Sequence, residues 1–167
     1  MSLRRRLESS PETVQEFELA AEQKYFEALE LMASGYRGAG IYLMGYVAEM
    51  LLKVAFFRYD GARPADLVGP RLGPARRRGR ARIPRDVPWE NYHSLNFWSL
   101  LLICERRWRN DPLPARIEAR LRQRTRRLYQ HWWVEMRYRR DSSRSLEVQT
   151  VYDDATWVRD NRVALWR

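Results

Sequence analysis

The stretch "GYVAEMLLKVAFFR", residues 45–58, is the most apolar part of the chain and gives the clearest indication of its fold. It belongs to a longer helical pattern in which apolar residues recur every three or four positions, at Leu43, Val47, Met50, Val54 and Phe57. Because these residues cover more than one side of the helix, neighbouring elements must pack against it from several directions. We therefore predict that residues 36–58 form the central helix of an all-α protein.

Two charged residues, Glu49 and Lys53, interrupt this apolar helix and lie four residues apart on one face. A buried carboxylate needs a partner, because leaving it unpaired is strongly unfavourable. A pair within one helix contributes only about 0.2–0.5 kcal/mol, too little to justify burying both charges. We predict a buried polar network in which Glu49 faces Arg137 of the fourth helix, while Lys53 points outward from the same stripe.

The segments on both sides of the central helix also have helical spacing. A first helix is expected from a cap at Ser9 or Ser10 to about Ala33, and Gly35 then separates it from the second helix by a very short turn. So short a link makes the two long helices antiparallel neighbours, the spine of the fold. Further helices are predicted over residues 93–108, 111–138 and from a cap at Thr150 or Asp153 to the end.

These segments predict an up-and-down bundle of four to five helices, in a single domain that covers residues 1–167. Three glycines in the second helix, Gly38, Gly40 and Gly45, each lower helix propensity by about 1 kcal/mol. We expect close approach of a neighbouring helix to compensate. Residues 59–92 hold five of the eight prolines and four of the eight glycines, which predicts a loop insertion.

Composition narrows the class of protein. The formal net charge is +10, and only two of the 31 basic residues are lysine. The single cysteine, Cys104, excludes an internal disulfide, and no Cys and His set has the spacing of zinc ligands. We expect no metal and no cofactor. Because no uninterrupted apolar segment resembles a signal peptide or a membrane span, we expect a cytoplasmic protein without a membrane anchor.

The positive charge is concentrated in two places. Residues 106–140 contain twelve arginines against three carboxylates, and residues 76–78 form an arginine triplet in the predicted loop. The guanidinium fork matches two phosphate oxygens at a time, so this distribution favours binding of RNA, single-stranded DNA or a nucleotide. The binding residues that we predict are Lys53, Arg76, Arg77, Arg78, His93, Arg137 and Tyr138. A solvated helix face without a ligand is the alternative.

Four short motifs occur in a familiar order: "GYVAEMLLK" (45–53), "HSLNFWSLL" (93–101), "RYRRD" (137–141) and "DDA" (153–155). In this order and spacing the chain resembles HEPN-domain proteins, the helical domains named for nucleotide binding in higher eukaryotes and prokaryotes. The resemblance implies a helical bundle, often a two-fold dimer, encoded beside a small nucleotidyltransferase in a toxin–antitoxin-like pair.

The resemblance also implies two kinds of activity. Many HEPN proteins are metal-independent ribonucleases with an arginine four to six residues before a histidine, and here Arg126 and His131 match that spacing, although Arg127 stands where a polar residue is usual. His131 would act as the base and Arg126 would stabilise the phosphorane-like charge. Other members bind nucleotides or act as adaptors.

Three functions remain open: a phosphate-binding HEPN protein, a ribonuclease that uses Arg126 and His131, and a helical dimerisation module without a ligand. Seven tryptophans are more than a small core readily hides, and Trp132 and Trp133 are adjacent. Adjacent helical residues point about 100° apart, so that one can enter the core while the other lies at an interface. We therefore predict a homodimer.

Overall fold

The computed structural model of the chain describes residues 12–85, 95–138, 141 and 143–167. These residues form six α-helices and one 3-10 helix, which confirms the all-α class. The α-helices are α1 (Val14–Ala33), α2 (Arg37–Tyr59), α3 (Gly69–Arg82), α4 (Leu95–Trp108), α5 (Ala115–His131) and α6 (Ser145–Trp166), and the 3-10 helix spans Val134–Tyr138.

Helix α2 is the centre of the bundle, as its sequence predicts. It packs against α1, α4, α5, α6 and the 3-10 helix, and α1 is its antiparallel partner. Within the described part of the chain, α2 is also the one helix long and apolar enough to span a membrane. However, 78% of its most apolar window is buried inside the protein, as expected for the core helix of a bundle.

Helices α1, α2 and α4 end in the same motif, which turns the chain sharply away from the helix axis. Gly35, Gly61 and Asn110 follow the ends of α1, α2 and α4, and each has a positive φ, of 85°, 85° and 57°. In each case the next amide donates to the carbonyl five residues earlier, at 2.8–2.9 Å. This is the Schellman arrangement, in which glycine or asparagine adopts the left-handed conformation without a large steric cost.

All three glycines of α2 are closely packed, and the predicted approach of a neighbouring helix is confirmed at Gly40. A Cβ at Gly45 would collide with the indole ring of Trp132, and one at Gly40 would collide with Met32 of α1. At Gly38 it would lie 2.8 Å from the carboxyl carbon of Asp141. The lost helix propensity is thus compensated by tight packing, although two of the three neighbours lie outside helices.

The predicted loop over residues 59–92 is wrong for its central part, where α3 forms. Pro70 lies in the first turn of this helix, where a missing N–H costs nothing, and arginine has a good helix propensity. The helix packs on α4, with Ala75 and Gly79 buried and the ring of Phe97 seated against Gly79. Tertiary packing therefore outweighs the unfavourable effect of Pro74 inside the helix.

Several predicted helix ends also need correction. Thr13 caps α1, and its Oγ1 accepts from the amide of Glu16 at 3.1 Å. The fourth predicted helix ends at His131, because Trp132 is extended, with φ −132° and ψ 130°. Arg137 therefore lies in the 3-10 helix. The last helix begins at Ser145, before the predicted caps.

One of the two adjacent tryptophans lies in the core and the other at the surface, but neither is helical as predicted, and the position of Trp133 at a dimer interface stays a prediction. Trp132 is 1% exposed and its Nε1 donates to the carbonyl of Tyr42 at 2.9 Å. Trp133 is 46% exposed.

Candidate functional site

The inner face of α3 holds two arginines against carboxylates of its neighbours. Arg78 and Arg82 are four residues apart and therefore share a face. Nη1 and Nη2 of Arg78 donate to the two carboxylate oxygens of Asp60, at 2.5 and 2.6 Å. Nη1 of Arg82 lies against Oε2 of Glu105 in α4. These contacts attach α3 to the end of α2 and to α4.

Arg109 joins the two carboxylates into one cluster. Its Nη2 lies 2.6 Å from Oδ1 of Asp60 and 2.8 Å from Oε1 of Glu105. The Glu105 side chain is 1% exposed and that of Asp60 is 13% exposed. Burial alone would raise the pKa of Asp60, but hydrogen bonds from Arg78 and Arg109 outweigh it and hold the pKa below its ordinary value.

This cluster carries more positive than negative charge, because three guanidinium groups share two carboxylates. The pKa of Arg82 is lowered by burial and by the nearby charges of Arg78 and Arg109. These ion pairs hold α3 against its neighbours. Both carboxylates are already paired, so the cluster cannot neutralise a further arginine.

The outer face of α3 is different. Arg76, Arg77 and Arg80 are exposed. Arg77 and Arg80 form no ion pair within the described residues. The predicted binding triplet is thus divided: Arg76 and Arg77 lie on the surface, whereas Arg78 is committed to Asp60. A phosphate at Arg78 would have to compete with Asp60 for this guanidinium, and its binding role stays a prediction.

Many of the arginines in residues 106–140 also form ion pairs with carboxylates inside the bundle. Arg124 and Arg127 of α5 both bind Asp154 of α6, whose side chain is fully buried. Arg107 and Arg122 both bind Glu118, at 2.7 and 2.9 Å. These pairs hold α5 between α4 and α6.

Arg106 is buried as well, at 3% exposure. It donates to the carbonyl oxygens of Asp111 and Leu165, at 2.9 and 3.1 Å, and its guanidinium stacks over Tyr59. It is therefore a structural residue at the end of the bundle.

Three arginines of α5 remain on the surface. Arg116, Arg120 and Arg126 are exposed and, in the part of the chain that the structure describes, form no ion pair. Helix α4 packs against both α3 and α5. The exposed arginines of α3 and α5 therefore lie on the two helices that pack against α4.

An open cleft of about 620 Å³ lies where α3 meets α4. Its lining residues are Ala81, Arg82, Cys104, Arg107 and Trp108. Trp108 is 67% exposed, and the Arg82 guanidinium stacks on its ring at 4.0 Å from the centroid. Burial raises the pKa of the Cys104 thiol, which keeps this lining residue uncharged.

Glu49 and Lys53 form an ion pair with each other inside the core. The prediction that Lys53 points outward is wrong: it is 7% exposed, and its Nζ lies 5.5 Å from the ring centroid of Trp98. The cation is stabilised by Glu49 and by the indole face, so that both charges can be buried. Lys53 therefore belongs to the buried polar network and offers no cation to a ligand at the surface.

The predicted ribonuclease pair occupies one unbroken helix, α5. Arg126 is exposed and His131 is half-buried as the last residue of the helix. Five residues at about 100° each place the two side chains about 140° apart around the axis. The helix thus presents them on different faces.

Other predicted site residues lie beyond what the structure describes. His93 is outside the described residues. Arg137 and Tyr138 are described by their backbone alone, in the 3-10 helix that packs on α2. The proposed contact between Arg137 and Glu49 stays a prediction.

Comparisons with protein-family models, with curated proteins and with solved structures return no match. Function is therefore argued from the geometry and from the motifs alone.

Sequence reasoning missed three residues of this region: Asp60, Glu105 and Trp108. One local signal was available, since Glu105 and Arg109 are four residues apart on a helix. The partners of Asp60 lie 18 and 49 residues away, and no local pattern indicates them.

Proposed function

We propose that this chain is a HEPN-like helical bundle that binds the phosphates of RNA, single-stranded DNA or nucleotides through arginines on the outer faces of α3 and α5. The observation that carries the proposal is the division of α3 into two faces. Its inner arginines are neutralised by Asp60 and Glu105, whereas Arg77 and Arg80 are exposed without a carboxylate within the described residues.

Keeping several like charges together on one helix has a cost in free energy. Exposed guanidinium groups on one helix repel each other, and a bound polyanion removes that repulsion and releases its own counterions. Arg116 and Arg120 of α5 repeat the arrangement four residues apart. Together these arginines present at least four uncompensated positive charges on the two helices that pack against α4.

The order of the motifs supports the HEPN-like assignment, and the all-α bundle is compatible with it. The proposal includes a homodimer and a small nucleotidyltransferase as the partner in a toxin–antitoxin-like pair. Ribonuclease activity is not favoured, because Arg127 stands where the ribonuclease signature usually has a polar residue.

The test is the salt dependence of binding to a labelled single-stranded oligoribonucleotide, measured by fluorescence anisotropy. Affinity should fall steeply between about 50 and 200 mM salt. The double variant R77A/R80A should bind more weakly and should flatten the slope of log K against log salt by about 1.4, which is 0.7 for each lost phosphate contact on a single strand.

A matched control removes the same charge from a different surface. R144A/R167A replaces two exposed arginines at the ends of α6 and should leave the slope unchanged. Equal effects of the two double variants would mean that net charge alone drives binding. Absence of binding at low salt would refute the proposal.

A further inference from the structure

The cleft between α3 and α4 has a composition suited to a specific ligand. Its walls combine an exposed indole, two guanidinium groups and the small or uncharged side chains of Ala81 and Cys104. Flat aromatic surface beside positive charge is the pattern that holds a base and its phosphate. We propose that this cleft binds a nucleobase on Trp108 and the attached phosphate on Arg107, which rests on the phosphate binding proposed above.

Trp108 has the exposure that stacking requires. The Arg82 guanidinium covers one face of the ring, so the 67% exposure of the side chain comes from the other face and the ring edge. Every base has a flat π face, and stacking on tryptophan is tolerant of base identity. Arg82 also fixes the indole in place, so that little side-chain freedom is lost when a base binds.

Arg107 supplies the charge on the same cleft. Its side chain is 59% exposed even though it pairs with Glu118, and Glu118 has a second partner in Arg122. In the ion-pair clusters that include the cleft residues Arg82 and Arg107, five guanidinium groups (Arg78, Arg82, Arg107, Arg109 and Arg122) share three carboxylates (Asp60, Glu105 and Glu118), an excess of two positive charges. Arg107 can therefore turn toward a phosphate while Arg122 keeps Glu118 paired.

The experiment compares ligands with and without bases on the full chain, by isothermal titration calorimetry. The probes are AMP, a short oligoadenylate and inorganic polyphosphate, which carries phosphate but no base. W108L should weaken binding of the base-containing probes about tenfold and leave polyphosphate unaffected. W108F should retain most of the affinity, because phenylalanine still offers a stacking face.

Two matched controls test the specificity of these effects. W133L removes another exposed tryptophan, outside the cleft, and should leave the affinity for all three probes unchanged. R107Q should weaken AMP binding, whereas R122Q, which removes the other partner of Glu118, should not. Circular dichroism of each variant checks that the fold is kept.

The outcomes separate this inference from the proposed function. Failure of polyphosphate to bind would refute the proposed phosphate binding itself. Binding of polyphosphate with no loss of AMP or oligoadenylate affinity in W108L, or with an equal loss in W133L, would refute the base site alone. Binding of AMP as tight as that of the oligoadenylate would identify a free nucleotide as the ligand, and binding of the oligoadenylate alone would identify a strand.

Discussion

Replacing Arg78 by alanine should destabilise the fold, whereas replacing its neighbour Arg77 should not. Arg78 donates two hydrogen bonds to Asp60, a carboxylate that is only 13% exposed. Removing a partner from a fully buried ion pair costs about 3–5 kcal/mol. Here the cost is smaller, because Arg109 still binds Asp60 and because the mutual repulsion of Arg78, Arg82 and Arg109 is relieved.

We therefore expect R78A to lower the free energy of unfolding by about 2 kcal/mol, the value of hydrogen bonds to a charged group. For a chain of this length that corresponds to a loss of about 4–8 °C in Tm. R77A, an exposed position on the same helix, should change the free energy of unfolding by less than about 0.5 kcal/mol. Urea denaturation followed by circular dichroism measures both.

The pH dependence of the stability difference between wild type and R78A tests whether the Asp60 carboxylate causes it. The folded-state pKa of Asp60 lies below its ordinary value, so this carboxylate contributes stability above its unfolded pKa of about 3.9 and loses it as the pH falls through the folded pKa. The difference between wild type and R78A should be full at pH 7 and should shrink below about pH 4. Equal losses of unfolding free energy in R77A and R78A, or a difference that is independent of pH, would show that the Arg78–Asp60 ion pair does not stabilise the fold.

Three further predictions follow from the packing and from the motifs. G45A should lower the free energy of unfolding by about 1–3 kcal/mol, because its Cβ would displace the Trp132 ring. G73A, where a Cβ meets only the Arg77 side chain at 3.6 Å, should be neutral or stabilising by up to about 1 kcal/mol. Urea denaturation measures both variants. The wild-type protein should not cleave RNA in the presence of a chelator; clean cleavage that disappears in H131A would show that His131 is catalytic despite the mismatch at Arg127. Light scattering at micromolar concentration should give twice the mass of the 20.1 kDa chain, and a mass near that of one chain would exclude the homodimer.

The elements that sequence reasoning predicts well are those specified by local periodicity. Helix α2 follows from its apolar spacing, and the turn at Gly35 follows from its position after the first helix. The close approach at Gly45 is also predictable, because an unfavourable residue inside a helix needs a compensating contact. In each case the signal lies within a few residues of the feature.

The features that the sequence analysis predicts wrongly depend on contacts between residues distant in sequence. Proline and glycine predict a loop for α3, but its helix is stabilised by packing on α4 and by the contact of Arg78 with Asp60. Lys53 is buried because Trp98, 45 positions later, covers it together with Glu49. Which arginines are neutralised by carboxylates likewise depends on tertiary contacts, so composition alone overestimates the uncompensated positive charge at the surface.

We propose that phosphate contacts the outer arginines of α3 and α5 and leaves the inner ones untouched. Arginine-specific modification by phenylglyoxal, read by mass spectrometry with and without a single-stranded oligoribonucleotide, tests it directly. We predict that the oligoribonucleotide protects Arg77, Arg80, Arg116 and Arg120, while Arg144 and Arg167 react equally in both samples. Protection spread evenly over all exposed arginines, or absent from α3 and α5, would contradict the account.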